Sequence, residues 1–228
     1  SLKGLSGLYA FKLVKAWIDH AKQSGYDFAA CYPNGQSIRL LISDKLNWKI
    51  VASPRLLVLP TASIHFDESP VKSVPLPLVN IGGKIAAGIL GLLRRKGYLQ
   101  SEIGKLDLQA DAVAINDLWS RSDQSRCQFS HTAELLNWRY GHHPIYKYRL
   151  LCRRSAEGVK GFIVTTQRKV MGVESELVVD GVWERGDTET PRALLSALCQ
   201  QASEEGAGIV AGLAMKDTFF YAALRKAG

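Results

Sequence analysis

Two glycines and a lysine open the chain in the stretch SLKGLSG, and an apolar-periodic segment follows at once. That arrangement could grip a phosphate. Backbone N–H groups in the first turn of a helix have no intrahelical partner, and they carry the positive end of the helix dipole. Glycine lets an anion come close to that backbone, and a lysine adds charge. Residues 3–7 (Lys3, Gly4, Leu5, Ser6 and Gly7) are therefore a candidate cradle for a diphosphate. The plain alternative is a helix start that carries glycines for local reasons, because a glycine turn gains meaning only in a strand-turn-helix context.

Other residues with chemistry are sparse. His142 and His143 stand beside Pro144 with no third ligand at a metal-binding spacing, so they read as loop residues and no metal is expected. The four cysteines, Cys31, Cys127, Cys152 and Cys199, are far apart and form no CxxC. That spacing argues against a zinc ribbon or a redox pair. Cys31 and Cys199 lie in apolar runs, as small core residues do. Trp138, Tyr140, Tyr146 and Tyr148 alternate as packing residues would.

The elements that must position these residues follow from periodicity. Apolar residues recur at three- and four-residue spacing over 5–24, which predicts a helix stopped by Gly25. DFAACY at 27–32 reads as a buried strand, PNG at 33–35 as a turn, and 36–46 as a second helix. WKIVAS and RLLVLP, 48–53 and 55–60, read as strands, and the Pro-bearing stretch 63–80 as a linker. An apolar helix over 79–99 ends in a basic cluster. It lacks the strongly charged face of an interfacial helix, so we expect it to pack between domains and expect no membrane association.

Beyond it, 106–115 alternates as a strand, and helices are predicted from 116 and over 131–140, the latter with Thr132 as a possible cap. Strands follow over 145–154, 159–169 and 173–183. Then come a helix over 190–206, a buried strand over 207–214 and the start of a last helix. The order from 106 onward is β-α-α-β-β-β-α-β-α. The helix-Gly-strand segment near the start lines up with the one at 191–215, suggesting a fold-level duplication.

The 228 residues suffice for one large or two small domains, and 46% hydrophobic with 22% charged residues is a globular profile. The net charge of +8 suits an anionic ligand, but no nucleic-acid-binding signature accompanies it. No signal peptide opens the chain, and its longest apolar run, residues 85–93, is too short to span a bilayer. The expected compartment is the cytoplasm.

The β-α-α-β-β-β-α-β-α order resembles the GNAT superfamily of N-acetyltransferases. The opening is similar to that family's acyl-CoA loop, in which Arg or Gln, two residues, Gly, one residue, and Gly or Ala lie at a strand-to-helix turn. Gly4 matches; Ser6 stands where Gly or Ala is usual, and Ser1 replaces the basic or amide residue. GYDFAACYPNGQS together with LNWRY, His143-Pro144 and Lys147-Tyr148-Arg149 resembles a group in which two such domains occur in tandem. The resemblance implies an α/β chain of two GNAT-like mixed-sheet domains. Residues 1–62 would be the C-terminal part of an incomplete first domain, 63–104 a linker and helix, and 105–228 the second domain. It also implies that the chain is cut short at both ends.

The implied activity is transfer of an acetyl or other acyl group from acyl-CoA to a small-molecule amine. Residues 3–7 would bind the CoA pyrophosphate, and Asn34 would stand near the CoA arm, although PNG is equally good turn chemistry. Leu41 stands near the place of the family's usual acid, a Tyr, which leaves Ser37, one turn earlier, as a weak substitute and the general base unassigned. In the second domain, WERGDTETPRALL puts Glu184, Asp187 and Glu189 where a pyrophosphate would sit. That domain is expected not to bind CoA and to help shape the acceptor site. A non-catalytic acyl-CoA-binding or scaffold protein on the same fold is the alternative. Neither the acceptor nor the oligomeric state can be read from the residues.

Overall fold

The computed structural model describes residues 2–26, 38–42, 46, 48–50, 53–66, 75–94, 102–124, 129–170, 172–215 and 221–222. The chain divides into two compact units, Ser1–Ser53 and Pro54–Gly228.

In the first unit, α1 (Leu2–Gln23) is a long helix, and Gly25 follows it at φ 76°, the left-handed stop its sequence predicts. The short helix α2 (Ile38–Leu41) ends on buried Leu41. Trp17 stacks on Trp48 with ring centroids 6.1 Å apart. Residues 48–50, expected in a strand, have no regular structure, and the strand expected at 27–32 lies outside the described residues.

The second unit is built on a six-stranded mixed sheet. Its strands are β1 (Arg55–Pro60), β2 (Ile103–Lys105), β3 (Arg149–Ser155), β4 (Gly158–Val170), β5 (Val173–Trp183) and β6 (Ile209–Ala214), in the order β1-β6-β5-β4-β3-β2. β5 and β6 pair in parallel, and every other neighbour is antiparallel. β1, which the expected boundary at 62 assigns to the first domain, is thus a strand of the same sheet as β6. Its alternation sends Leu57 and Leu59 toward the core. The stretch after it is no linker either: Ile64 is buried, and Thr61 Oγ1 and Ser63 Oγ donate to the carbonyls of Ala207 (2.5 Å) and Ser203 (2.8 Å).

Helices cover both faces. α4 (Ala112–Arg121) and α5 (Ala133–Leu136), the latter running into a π-helical turn (Asn137–Gly141), pack Ile115, Leu118 and Leu136 against Phe162, Val164 and Val182. On the opposite face, α6 (Glu189–Glu204) packs Leu194, Leu195 and Leu198 against Ile163, Val178 and Val210. α3 (Leu76–Arg94) brings Gly83 against Ile64 and Phe66, where an added Cβ would lie 3.3 Å from Ile64. Asn80 holds the Phe66 backbone by two hydrogen bonds. Leu78, Ile81 and Ile85 on α3 are exposed, so the packing expected around that helix covers only part of it.

The β4–β5 pairing carries a register shift. Val164 opposes Asp180 and Thr165 opposes Val178, which leaves Val179 as the extra residue of a bulge. A regular strand would put residues 178, 180 and 182 on one face. The bulge instead puts Val178 under α6 and Val182 under α4 and α5, with Asp180 beside it.

Residues 106–115, expected as a strand, form a turn and the start of α4. Asp107 Oδ1 accepts the N–H groups of Gln109 (2.8 Å) and Ala110 (2.9 Å), a local turn that outcompetes the alternating pattern. The strand that opens this β-α-α-β-β-β-α-β order is β2, three residues earlier.

Candidate functional site

α1 begins at Leu2 and not at Leu5, so Lys3, Gly4, Leu5, Ser6 and Gly7 lie within its first two turns. The first turn holds no acidic residue, and its opening N–H groups have no intrahelical acceptor. Each interior glycine costs a helix about 1 kcal/mol relative to alanine, so Gly4 and Gly7 weaken the start of α1. Asn34 and Ser37 lie outside the described residues.

The second helix start, at α6, is built differently. Gly186 turns the chain at φ 81°, and the Asp187 N–H donates to the Glu184 carbonyl at 3.1 Å. Asp187 then folds onto the helix. Its Oδ1 accepts the N–H groups of Glu189 (2.8 Å) and Thr190 (3.0 Å), and its Oδ2 accepts the Thr190 hydroxyl (2.5 Å). An internal carboxylate thus occupies the position where a helix start would take an anion. Glu189 adds a second negative charge in the first turn. Glu184 is held by Arg121 (3.0 Å) and Lys160 (3.4 Å). Thr190 is fully buried against Gly161, where an added Cβ would come within 2.6 Å of its Cγ2.

A third polar cluster sits at the bulge. Asp180 Oδ2 accepts the Tyr140 hydroxyl at 2.6 Å, and its Oδ1 accepts the Gly181 N–H at 2.9 Å. His131 Nε2 lies 2.9 Å from the same Oδ1. Burial pushes the Asp180 carboxyl up, but His131, Tyr140 and the Gly181 N–H outweigh it and hold the group below the usual carboxylate range. Burial, with the Asp180 charge alongside, drives the Tyr140 phenol far upward, so it stays a donor. Trp119 lies over His131 with centroids 5.1 Å apart. Asp180 is fully engaged by its own chain, which makes the cluster a pin that ties the π-helical turn and the segment before α5 to β5, and not an open base. A lone carboxylate in the apolar run LVVDGVW is the available sequence signal for it.

The remaining candidates resolve as structure. His143 Nδ1 accepts the N–H groups of Ile145 (3.2 Å) and Tyr146 (3.0 Å) and closes its own loop. Tyr140 is buried and meets Tyr148 edge-on at 4.9 Å. Trp138 departs from its expected packing role and is 73% exposed. Cys152 and Cys199 are buried, and burial pushes the Cys152 thiol up. Among the described residues no group of His, Cys, Asp or Glu could hold a metal ion, and no helix is long and apolar enough to cross a membrane.

Comparison with solved structures gives the fold a name. A GCN5-related N-acetyltransferase from Anabaena variabilis superposes with a TM-score of 0.55 at 11% identity, over 92% of this chain and 45% of that one. At that identity the likeness shows the fold: the mixed α/β architecture is GNAT-like. The chain spans less than half of that relative. A ribosomal-protein-alanine N-acetyltransferase from Brucella melitensis matches at 18% identity over 54% of this chain and 84% of that one, with a TM-score of 0.36. A Thermus thermophilus protein matches at 19% identity over 55% and 86%, with a TM-score of 0.38. No protein-family description matches the chain, and no curated protein matches it.

Proposed function

We propose that the protein is a GNAT-type N-acyltransferase that moves an acetyl or other acyl group from acyl-CoA to a small-molecule amine. The observation that carries this reading is the GNAT-like fold, shared over 92% of the chain with an N-acetyltransferase of known structure. The start of α1 takes the CoA pyrophosphate: its first-turn N–H groups face no acidic side chain from that turn, and Lys3 and Gly4 stand within it. Asn34 contributes beside the CoA arm. The start of α6 takes no CoA, because Asp187 fills it. The amine attacks the thioester carbonyl after losing a proton, and the thiolate leaves with or without an acid. Ser37 is the candidate for that acid.

One observation favours a second reading, a non-catalytic acyl-CoA-binding or scaffold protein. Leu41, near the place of the family's usual acid, is buried and apolar. Calorimetric titration with acetyl-CoA, followed by a thiol-release assay with amino sugars, aminoacyl compounds and simple amines, separates the readings. Binding with release supports the enzyme, and binding without release supports the scaffold. Absence of binding refutes the acyltransferase and leaves the scaffold on the same fold.

A further inference from the structure

We propose that the second unit binds single-stranded nucleic acid, without regard to its sequence, on a face that runs from Phe129 through the π-helical turn to Arg168. This binding is separate from acyl transfer. Three observations carry it. First, the local backbone turns aromatic and cationic side chains outward. The turn Asn137–Gly141 is π-helical, and the His142 N–H reaches back five residues to the Asn137 carbonyl at 3.2 Å. Gly141 permits this, because an added Cβ there would meet the Asn137 side chain. The turn buries Tyr140 and leaves Trp138 and Arg139 on the surface. Phe129, 68% exposed, lies beneath the Arg139 guanidinium at 5.4 Å. Rings this open to water add little to the core and offer faces on which bases stack.

Second, guanidinium groups alternate with the rings. Arg139 also lies over Tyr140, at 5.3 Å, and Tyr140 meets Tyr148 edge-on. Tyr148 meets Tyr146 at 6.4 Å, and Arg168 lies over the Tyr146 ring at 3.5 Å. A guanidinium with its face on a ring keeps its N–H edge for a phosphate. Rings and cations are thus held in place before a ligand arrives, which lowers the ordering cost of binding.

Third, these cations are unpaired. Arg121, Arg149, Arg153, Arg154 and Arg192 each bond a carboxylate. Arg139 and Arg168 have no carboxylate partner among the described residues. From Leu135 to Ala156 the chain holds no Asp or Glu, and exposed Lys147 adds a further positive charge. Asp180, which accepts the Tyr140 hydroxyl, is engaged from within. A lipid-inserting face gathers its apolar side chains and keeps its cations on the polar side. Here rings and guanidinium groups interleave, as in a platform for a single strand. No sequence motif announces it, because Phe129, Arg139 and Arg168 stand in the segment before α5, the π-helical turn and β4.

The test is fluorescence anisotropy on the full chain with labelled oligothymidylate and oligouridylate, read across a salt series. The wild type is expected to bind both, and duplex DNA more weakly. Trp138→Ala is expected to weaken binding about tenfold, and Trp138→Phe, which keeps a stacking face, much less. Arg139→Gln and Arg168→Gln are each expected to flatten the dependence of log affinity on log salt by about 0.7, one phosphate apiece. Arg55→Gln removes the same charge from β1, at the end of the sheet, and is expected to leave that slope unchanged. Failure of the wild type to bind either oligonucleotide overturns the proposal, and capture by phosphatidylserine vesicles instead would assign the face to lipid. Binding that Trp138→Ala and both arginine variants leave unchanged, with far-ultraviolet spectra showing them folded, also overturns it. So does equally tight binding of polyglutamate, since charge alone would then suffice.

Discussion

The starts of α1 and α6 offer the same physical opportunity and carry opposite side chains. α1 opens on Leu2-Lys3-Gly4 with no acidic residue in its first turn. α6 opens on a carboxylate of its own, with Asp187 accepting two backbone N–H groups and a hydroxyl, and Glu189 following. Both starts have unpaired donors and a positive dipole end. The proposed reading gives those of α1 to a ligand, whereas α6 satisfies its own internally. The habit extends through the second unit. Asp180 serves His131, Tyr140 and Gly181, and Glu205 serves Arg149, Gln167 and Gln201. Polar groups so engaged stabilise a fold and are poorly placed to bind a substrate.

The comparison is broken most directly by giving α1 the carboxylate that α6 has. Gly4→Asp is expected to weaken acetyl-CoA binding by about 100-fold or more, by putting an unpaired negative charge beside the pyrophosphate. Calorimetry reads this, and unchanged affinity would refute the cradle assignment.

The next largest effect is at the bulge. Asp180→Ala leaves the buried Tyr140 hydroxyl and His131 without their shared acceptor, and should cost about 2–3 kcal/mol in denaturant unfolding. The same group sets an acid limit. Its folded value lies below the unfolded one of about 3.9, so its contribution is full above that value. It is lost as pH falls through the folded value. In Asp180→Ala this part of the acid destabilisation should vanish, which stability measured against pH will show.

Asp187→Ala removes a helix cap and should cost about 1 kcal/mol, seen as a lower Tm. Acetyl-CoA affinity should stay within error, both there and in Glu184→Ala. A large change in either would mean that the α6 start does bind CoA. The smallest effect is expected at Thr132, whose side chain accepts the Leu135 N–H at a long 3.4 Å. Thr132→Ala should cost about 0.5 kcal/mol, near the lower end for an N-cap.

Much of the second unit is legible in the sequence because each segment satisfies a local rule. β1 and β5 lie where their runs predict, and Gly206 at φ 81° ends α6 where a left-handed stop is expected. The failures come where a side chain or a distant strand decides. Residues 106–115 alternate like a strand, yet Asp107 and Asp111 tie that segment into a turn and helix by bonds that no periodicity reveals. β2 is only three residues long, and its pairing with β3 defines it. β1 belongs to the sheet because β6 lies beside it, over 140 residues later, and no composition shift marks that pairing.

Of the candidate site, the glycines of α1 and the acidic start of α6 are readable from residue types alone. The Asp180 pin is not, because a single bulge at Val179 decides which face that carboxylate takes.

The central claim is that acyl-CoA meets this protein at the start of α1 and not at α6. Backbone amide exchange with and without acetyl-CoA tests it at both places in one measurement. The account predicts that the ligand slows exchange at residues 3–7 and leaves Glu189, Thr190 and Arg192 unchanged. Protection at the start of α6 with none at residues 3–7 would contradict it.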